Sequence, residues 1–546
     1  MTSTAMDFRG NSAVLDAEHV GDIRGALGTI KLDDTAPRRG TSAVLKTLLA
    51  IVGPGLIVMV GDNDAGAFAT YGQAGQNYGT RLLWTLLLLV PVLYVNQEMV
   101  LRLGAVTGVG HARLILERFG KFWGAFSVID LFILNALTII TEFIGITLGA
   151  GYLGLPKVPS VILAAAVVVA AAFTGSFRRF ERVAIAFCAG SLLLIPVYFL
   201  SHPALPQMTR SFVLPQLPGG AGGLSTAMLL IIGIVGTTVA PWQLFFQQSY
   251  VIDKRITPRF MRYEKADLWI GICIVVIGGA AIMGATATAF AHSPASGRFT
   301  DAAGLAAGLQ ASAGKAAGVL FAIALLDASI IGAFAVSLST AYAISDVFGM
   351  NHSLHRGVRG AKGFYAVYAA LIGIAATIVL LPGSPLGLLT EGVQVLAGVL
   401  LPSASVFLLL LCNDREVLGP WVNGRKVNMF VSAVVAVLVS LSVILTASVL
   451  FPSINSRQII DIMIACGAAA VLAAGYALSR RLRSGQLSVA TADRAGKETW
   501  RMPPLNLLQR PEMSTGRKIA MGALRLYLGV AMILVIIKIA ELAIGH

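Results

Sequence analysis

Long apolar runs separated by short polar ones make up most of this chain. Apolar spans fall near 44–72, 82–103, 123–151, 158–175, 183–201, 224–249, 267–292, 315–348, 361–382, 387–411, 427–451, 457–480 and 518–544. Apolar runs of roughly 18–25 residues cross a bilayer core as helix. Transmembrane β-strands would alternate over roughly ten residues, and that pattern is absent from the sequence. The pattern predicts an all-α membrane protein with 12 or 13 transmembrane helices. The last span contains Lys538 and Glu541, so an amphipathic helix lying in the interface is its alternative.

Charge orients these spans. The segments Arg102–Lys121, Arg178–Arg182, Lys254–Lys265, Arg356–Lys362, Arg415–Lys426 and Arg480–Lys518 are basic and follow every second span, while the loops between are nearly free of Lys and Arg. Basic loops face the cytoplasm, which predicts a cytoplasmic N-terminus; the expected location is the bacterial inner (plasma) membrane. The net charge of +14 (41 Lys and Arg against 27 Asp and Glu) is explained by these loops and does not imply nucleic-acid binding. Only 12% of residues are charged, half the usual share of about 25% in soluble domains. Residues 1–42 are polar without an apolar signal core and read as a disordered cytoplasmic tail. Residues 481–517 read as a cytoplasmic loop. Cys188, Cys273, Cys412 and Cys466 form no CxxC pair and read as small buried hydrophobes. His111, His202, His292, His352, His355 and His546 lie at span ends or loops and His19 in the tail, as solvated residues usually do. No nucleophile–base arrangement or phosphate loop is present, so the chain does not read as an enzyme and needs no cofactor.

Two spans are interrupted in comparable places. The first carries Gly53-Pro54-Gly55 and then Gly61-Asp62-Asn63-Asp64-Ala65-Gly66-Ala67, and the sixth carries Gly236-Thr237-Thr238-Val239-Ala240-Pro241-Trp242-Gln243. The two starts lie five spans apart, and an odd repeat inverts the second copy relative to the first, the pattern of transporters with broken helices at the midplane. Unwound backbone frees carbonyls that can face a cavity. An acid beside them requires a cation or a proton. Carbonyl, carboxylate and amide oxygens suit hard cations such as Mg²⁺, Ca²⁺ and Mn²⁺.

The stretch from Gly53-Pro54-Gly55-Leu56 to Asp64-Ala65-Gly66-Ala67-Phe68-Ala69-Thr70, with Arg102-Leu103-Gly104-Ala105-Val106-Thr107-Gly108, Phe177-Arg178-Arg179-Phe180-Glu181-Arg182 and Arg262-Tyr263-Glu264-Lys265-Ala266-Asp267, resembles the Nramp family of divalent-metal transporters over roughly residues 45–450. The resemblance implies a LeuT-like fold with a 5+5 inverted repeat. On that reading 43–203 form the first repeat, 224–412 the second, 427–480 two additional helices and 518–546 a thirteenth span. The family's first-span motif is Asp-Pro-Gly-Asn, and here Asp64, Ala65, Gly66 and Ala67 stand in its place. The sixth-span motif is Met-Pro-His-Asn, replaced here by Ala240, Pro241, Trp242 and Gln243. The acid is kept, while the amide ligand and the soft thioether are lost.

A thioether favours Mn²⁺, Fe²⁺ and heavier metals over hard ions, so its loss removes that discrimination. Mg²⁺ dehydrates reluctantly, and a wider oxygen-only site suits it. The sequence thus predicts import of Mg²⁺, with Mn²⁺ tolerated, and resembles the Nramp-related magnesium transporter branch. Asp64 is the expected anionic ligand. The resemblance adds Gly61 and Thr237 through backbone carbonyls, Gln243 through its amide oxygen, and the polar positions Gln97 and Gln394. Asp62 and Glu98 are expected around the hydrated ion. Proton-coupled members share a third-helix Asp three residues before a Glu, plus the sixth-helix His. Here the Glu is Glu142, while Ile139 and Trp242 occupy the other two places, so uncoupled flux is expected. Asp327 is a further intramembrane acid with a possible proton or gating role. The alternatives are a proton-coupled Mn²⁺/Fe²⁺ transporter with a remodelled site and an organic-solute transporter of the same fold class.

Overall fold

The computed structural model describes residues 16–216, 223–381, 386–451, 454–483, 497–498 and 500–509, with single helical positions between 522 and 537. The thirteenth span and most of the 481–517 loop therefore lie outside the described residues. A short hairpin, β1 (Ile23–Arg24) with β2 (Thr29–Ile30), precedes the bundle. The first span is three helices: α1 (Thr41–Ile51), α2 (Pro54–Val60) and α3 (Ala65–Tyr78). Then follow α4 (Trp84–Thr107), α5 (His111–Phe119), α6 (Lys121–Tyr152), α7 (Lys157–Ala172), α8 (Phe177–Cys188) and α9 (Leu194–Leu200). The chain continues through α10 (Leu205–Val213), α11 (Gly223–Thr238), α12 (Pro241–Asp253), α13 (Met261–Phe290), α14 (Ala302–Ala313) and α15 (Lys315–Phe348). It closes with α16 (Lys362–Leu380), α17 (Leu386–Cys412), α18 (Arg415–Leu418), α19 (Arg425–Leu450) and α20 (Ser456–Arg483).

Among the described residues ten helical segments are long and apolar enough to cross a membrane, and the bent α1–α2 pair makes an eleventh. The fourth expected span is α7, apolar but only 16 residues long. Large side chains such as Leu88, Ile162, Leu163, Ile277 and Leu472 lie exposed on the helix faces. Water would not tolerate so much exposed apolar surface, and lipid does.

The two interrupted spans sit inside the bundle. Helix α13 packs along α2 and α3, α17 along α11, and α6 against α15. Helices α2 and α3 are separated by Gly61–Asp64, α11 and α12 by Val239–Ala240. Local chemistry explains both breaks. Asp64 is extended and its side chain caps α3, accepting from the Ala67 N–H at 2.9 Å. Pro241 opens α12, where its missing N–H costs nothing, and it holds Ala240 extended.

The basic loops gather at one end. There Arg102 bonds the Trp421 carbonyl and Asn423, Arg118 pairs with Asp414, and Lys265 pairs with Glu98. Of the tail expected to be disordered, residues 1–15 lie outside the described residues, and the remainder is ordered. Residues 16–39 fold onto this end, where arginines of the basic loops bond their backbone carbonyls. Composition alone misses this, because the partners lie 150 or more residues away. Three histidines expected in solvent, His19, His111 and His352, are buried. All four cysteines are free, Cys188 and Cys412 buried and Cys273 exposed.

Candidate cation site

The two breaks bring four helix ends together with a set of buried polar side chains. Helices α2 and α11 end at the breaks, and their last carbonyls carry the negative end of the helix dipole, which favours a cation. Helices α3 and α12 begin there with the positive end.

Asp62, wholly buried, accepts a hydrogen bond on Oδ1 from Gln243 Nε2, and its Oδ2 has no hydrogen-bond partner among the described residues. Gln243 Nε2 also reaches the Thr238 carbonyl at 3.3 Å. Gln243 Oε1 accepts from Gln97 Nε2 at 2.8 Å, leaving Gln97 Oε1 open and buried. The amide oxygen expected from Gln243 is therefore engaged, and the relay presents the oxygen of Gln97 instead. Thr237 Oγ1 is likewise buried without a partner among the described residues. At and beside the two breaks, one carboxylate oxygen, one amide oxygen and one hydroxyl are thus buried without hydrogen-bond partners among the described residues.

Asp64, the acid favoured from sequence, is committed elsewhere. One oxygen caps α3, and the carboxyl lies within hydrogen-bonding reach of Glu142. Glu142 Oε2 in turn accepts from the Ala65 N–H at 3.2 Å. Two acid side chains thus accept from the free N–H groups at the positive N-terminus of α3.

Gln394 on α17 sits against α3. A Cβ at Gly66 would lie 1.9 Å from Gln394 Nε2, and one at Gly236 2.2 Å from the Gln394 carbonyl, so α17 approaches both broken helices where only glycine allows it. Ala67 and Ala240 are buried, and Trp242 packs over Gly61. Glu98 is not brought to the site: it pairs with Arg102 at 3.2 Å and Lys265 at 2.8 Å near the basic end. Asp327 is also elsewhere, against Gly190 in the 3-10 turn between α8 and α9.

Three polar residues were missed. Tyr71 hydroxyl meets Thr238 Oγ1 at 2.7 Å, Asn63 Nδ2 donates to the Val275 carbonyl at 3.3 Å, and Gln247 is buried with neither amide atom hydrogen-bonded among the described residues. Gln247 stands one helical turn beyond Gln243, and that spacing was the available signal. Among the described residues no three His, Cys, Asp or Glu side chains are arranged to hold a metal. A cavity of about 690 Å³ lies away from the acids, at the end opposite the basic loops, lined by Gln76, Asn77, Arg81, His202 and Gln207 among others.

Paired broken helices around buried acids, in a bundle of this apolar kind, define an α-helical membrane transporter. Residues 55–448 match the family described as Natural resistance-associated macrophage protein-like (Nramp), and the chain belongs to that family. The divalent metal cation transporter MntH of Pectobacterium carotovorum is 26% identical over 415 residues, covering 73% of this chain and 94% of that protein. The MntH of Ralstonia nicotianae is 29% identical over 403 residues, covering 70% and 86%. A mutant form of the Eremococcus coleocola manganese transporter superposes with a TM-score of 0.62 at 20% identity, over 83% of this chain and 96% of that one, and shares its fold. In this chain it is an all-α bundle with broken first and sixth spans. The chain is a divalent-cation transporter and not an enzyme, and the metal is cargo rather than cofactor.

Proposed function

We propose that the protein imports Mg²⁺, and also Mn²⁺, entering from the end opposite the basic loops and leaving into the cytoplasm at the basic end. The observation that carries this reading is the donor chemistry at the two breaks: the open oxygen of Asp62, tied through Gln243 to the open amide oxygen of Gln97, with Ala67 and Ala240 where the family has Asn and Met. Hard oxygen donors, with methyl groups in place of the amide and the thioether, suit an ion that keeps part of its water. The names of the MntH relatives and of the manganese transporter support Mn²⁺ within the same range. Two buried acids disfavour an anionic organic solute at this position.

Asp62 draws the cation between the helix C-termini. Gln243 turns its amide as the carboxylate changes partner, and Gln97 supplies the next oxygen. A divalent ion gains about 4.6 kcal/mol per 100 mV of inside-negative potential, twice the single-charge value, so inward flux needs no proton. A second reading, proton-coupled Mn²⁺ or Fe²⁺ transport, is favoured by one observation, the Asp64–Glu142 carboxyl pair. Liposomes loaded with a pH dye separate the two. Mg²⁺ and Mn²⁺ uptake without acidification, retained in Glu142→Gln, is expected. Metal-driven acidification abolished by Glu142→Gln would overturn the uncoupled reading, and uptake of Mn²⁺ with none of Mg²⁺ would overturn the Mg²⁺ assignment.

A further inference from the structure

The transport reading makes no use of residues 16–39, yet the structure binds them tightly to the basic end. Arg178 Nε donates to the Gly25 carbonyl at 3.1 Å and Arg182 Nε to the Ala26 carbonyl at 3.0 Å. Arg255 grips the Glu18 and Asp22 carbonyls at 2.8 and 3.1 Å, and Arg259 reaches the Ala36 carbonyl at 2.8 Å. Asp16 pairs with Arg356 at 2.7 Å. These arginines come from α8, from the α12–α13 connection and from the α15–α16 loop, so one short segment ties together three parts of the bundle.

The other face of the hairpin covers α1. A Cβ at Gly25 would lie 2.0 Å from the Ala50 carbonyl, and one at Gly28 2.9 Å from the Ala50 Cβ. Apart from the hairpin, the main neighbour of α1 is α13. Helix α1 meets α2 at 54° through Gly53, whose φ of 155° makes this a hinge that other residues adopt with strain. Charged groups hold both sides of the hinge. Lys254 Nζ donates to the carbonyls of Ile51 and Val52 at 2.6 and 2.9 Å, and Asp267 accepts from the N–H groups of Gly53 and Gly55 at 3.1 and 2.7 Å. Glu181 joins hinge to hairpin: Oε1 takes Lys254 at 2.7 Å and Oε2 takes the Ala26 N–H at 2.6 Å.

A polar line connects the cation site to this latch. Gln243, Gln247, Tyr250 and Lys254 fall on one face of the sixth span by helical spacing. Both amide atoms of Gln247 and the Tyr250 hydroxyl are buried without hydrogen-bond partners among the described residues. Unsatisfied polar atoms inside a membrane bundle are costly unless water or an ion visits them.

We propose that residues 16–39 are an autoinhibitory strap, which clamps α1 over the basic-end mouth of this line and must let go before the cation leaves. This rests on the reading that the cation leaves at the basic end, not on which metal is carried. Residues 37–40 between the last gripped carbonyl and α1 span at most about 14 Å when fully extended, so α1 has little slack to tilt while the strap stays docked. The test compares the full chain, a 1–39 deletion, and the full-length Arg178→Ala/Arg182→Ala variant. Mn²⁺ uptake into liposomes and hydrogen exchange of the α1 amides are measured for each. If the open state is the minor one, at about 10% or less of the population, release raises uptake severalfold and speeds α1 exchange in both variants. Unchanged exchange in α1, or unchanged or slower uptake in a variant that retains the melting temperature of the full chain, overturns the proposal. Should the deletion fail to fold, the arginine variant decides. Should the full chain carry no Mn²⁺, the transport reading fails, and α1 exchange still judges the strap.

Discussion

Asp62→Asn should weaken cation binding far more than Asp64→Asn. Asparagine keeps the shape of Asp62 and can still accept from Gln243, so the perturbation is mainly the removal of one negative charge from a wholly buried position. Two unit charges 4 Å apart interact by about 1 kcal/mol in water and about 4 kcal/mol at an effective dielectric of about 20, and a divalent ion doubles both, giving a bracket of roughly 2–8 kcal/mol. Desolvation of the carboxylate offsets much of the upper end. A loss of about 2.8 kcal/mol corresponds to about 100-fold in apparent affinity. Asp64 spends one oxygen on the α3 cap and faces Glu142 with the rest. Asparagine caps nearly as well as aspartate, so Asp64→Asn should shift affinity by about tenfold or less, whereas Asp64→Ala should also cost about 1 kcal/mol of stability. Calorimetric titration with Mn²⁺ and Mg²⁺ in detergent, alongside liposome uptake, measures both. An Asp62→Asn protein with native affinity beside an inactive Asp64→Asn protein would refute the assignment of the open oxygen to Asp62.

Three further outcomes follow from the same geometry. Gln97→Ala removes the end of the amide relay and should raise the apparent KM about tenfold, equivalent to one hydrogen bond of about 1.5 kcal/mol, with the melting temperature little changed. Gly53→Ala forces a side chain into a φ of 155° and within 2.2 Å of Glu181, so it should cost roughly 1–3 kcal/mol, read as a lower melting temperature. The third concerns His352, which is buried and pairs with Asp346 at 3.0 Å. Burial pulls its pKa down, but Asp346 and the Met350 carbonyl outweigh burial and hold it up at about 9 against an ordinary 6.5. A raised pKa contributes stability that is fully present below pH about 6.5 and is lost as pH rises through about 9. Melting temperature should therefore fall between pH 7 and 9.5 in the native chain, and less steeply in His352→Gln.

The sequence alone determined the class of this protein. Apolar run length, alternating basic loops and two interruptions five spans apart depend on solvation and helical repeat, which are local properties of the chain. The departures at Ala67, Ala240 and Trp242 were equally legible, because they are substitutions in a motif. The tertiary structure decided which polar atom is open. Asp62 and Asp64 are two residues apart with the same chemistry, yet one caps a helix beside Glu142 and the other bonds Gln243 across 181 residues. Glu98 was drawn instead to Lys265 and Arg102, and residues 16–39 found order on partners far away in the chain, among them Arg178 and Glu181. Hydrogen bonding is short-ranged and directional, so which acid remains free depends on neighbours that folding supplies, and no spacing within the first span encodes them.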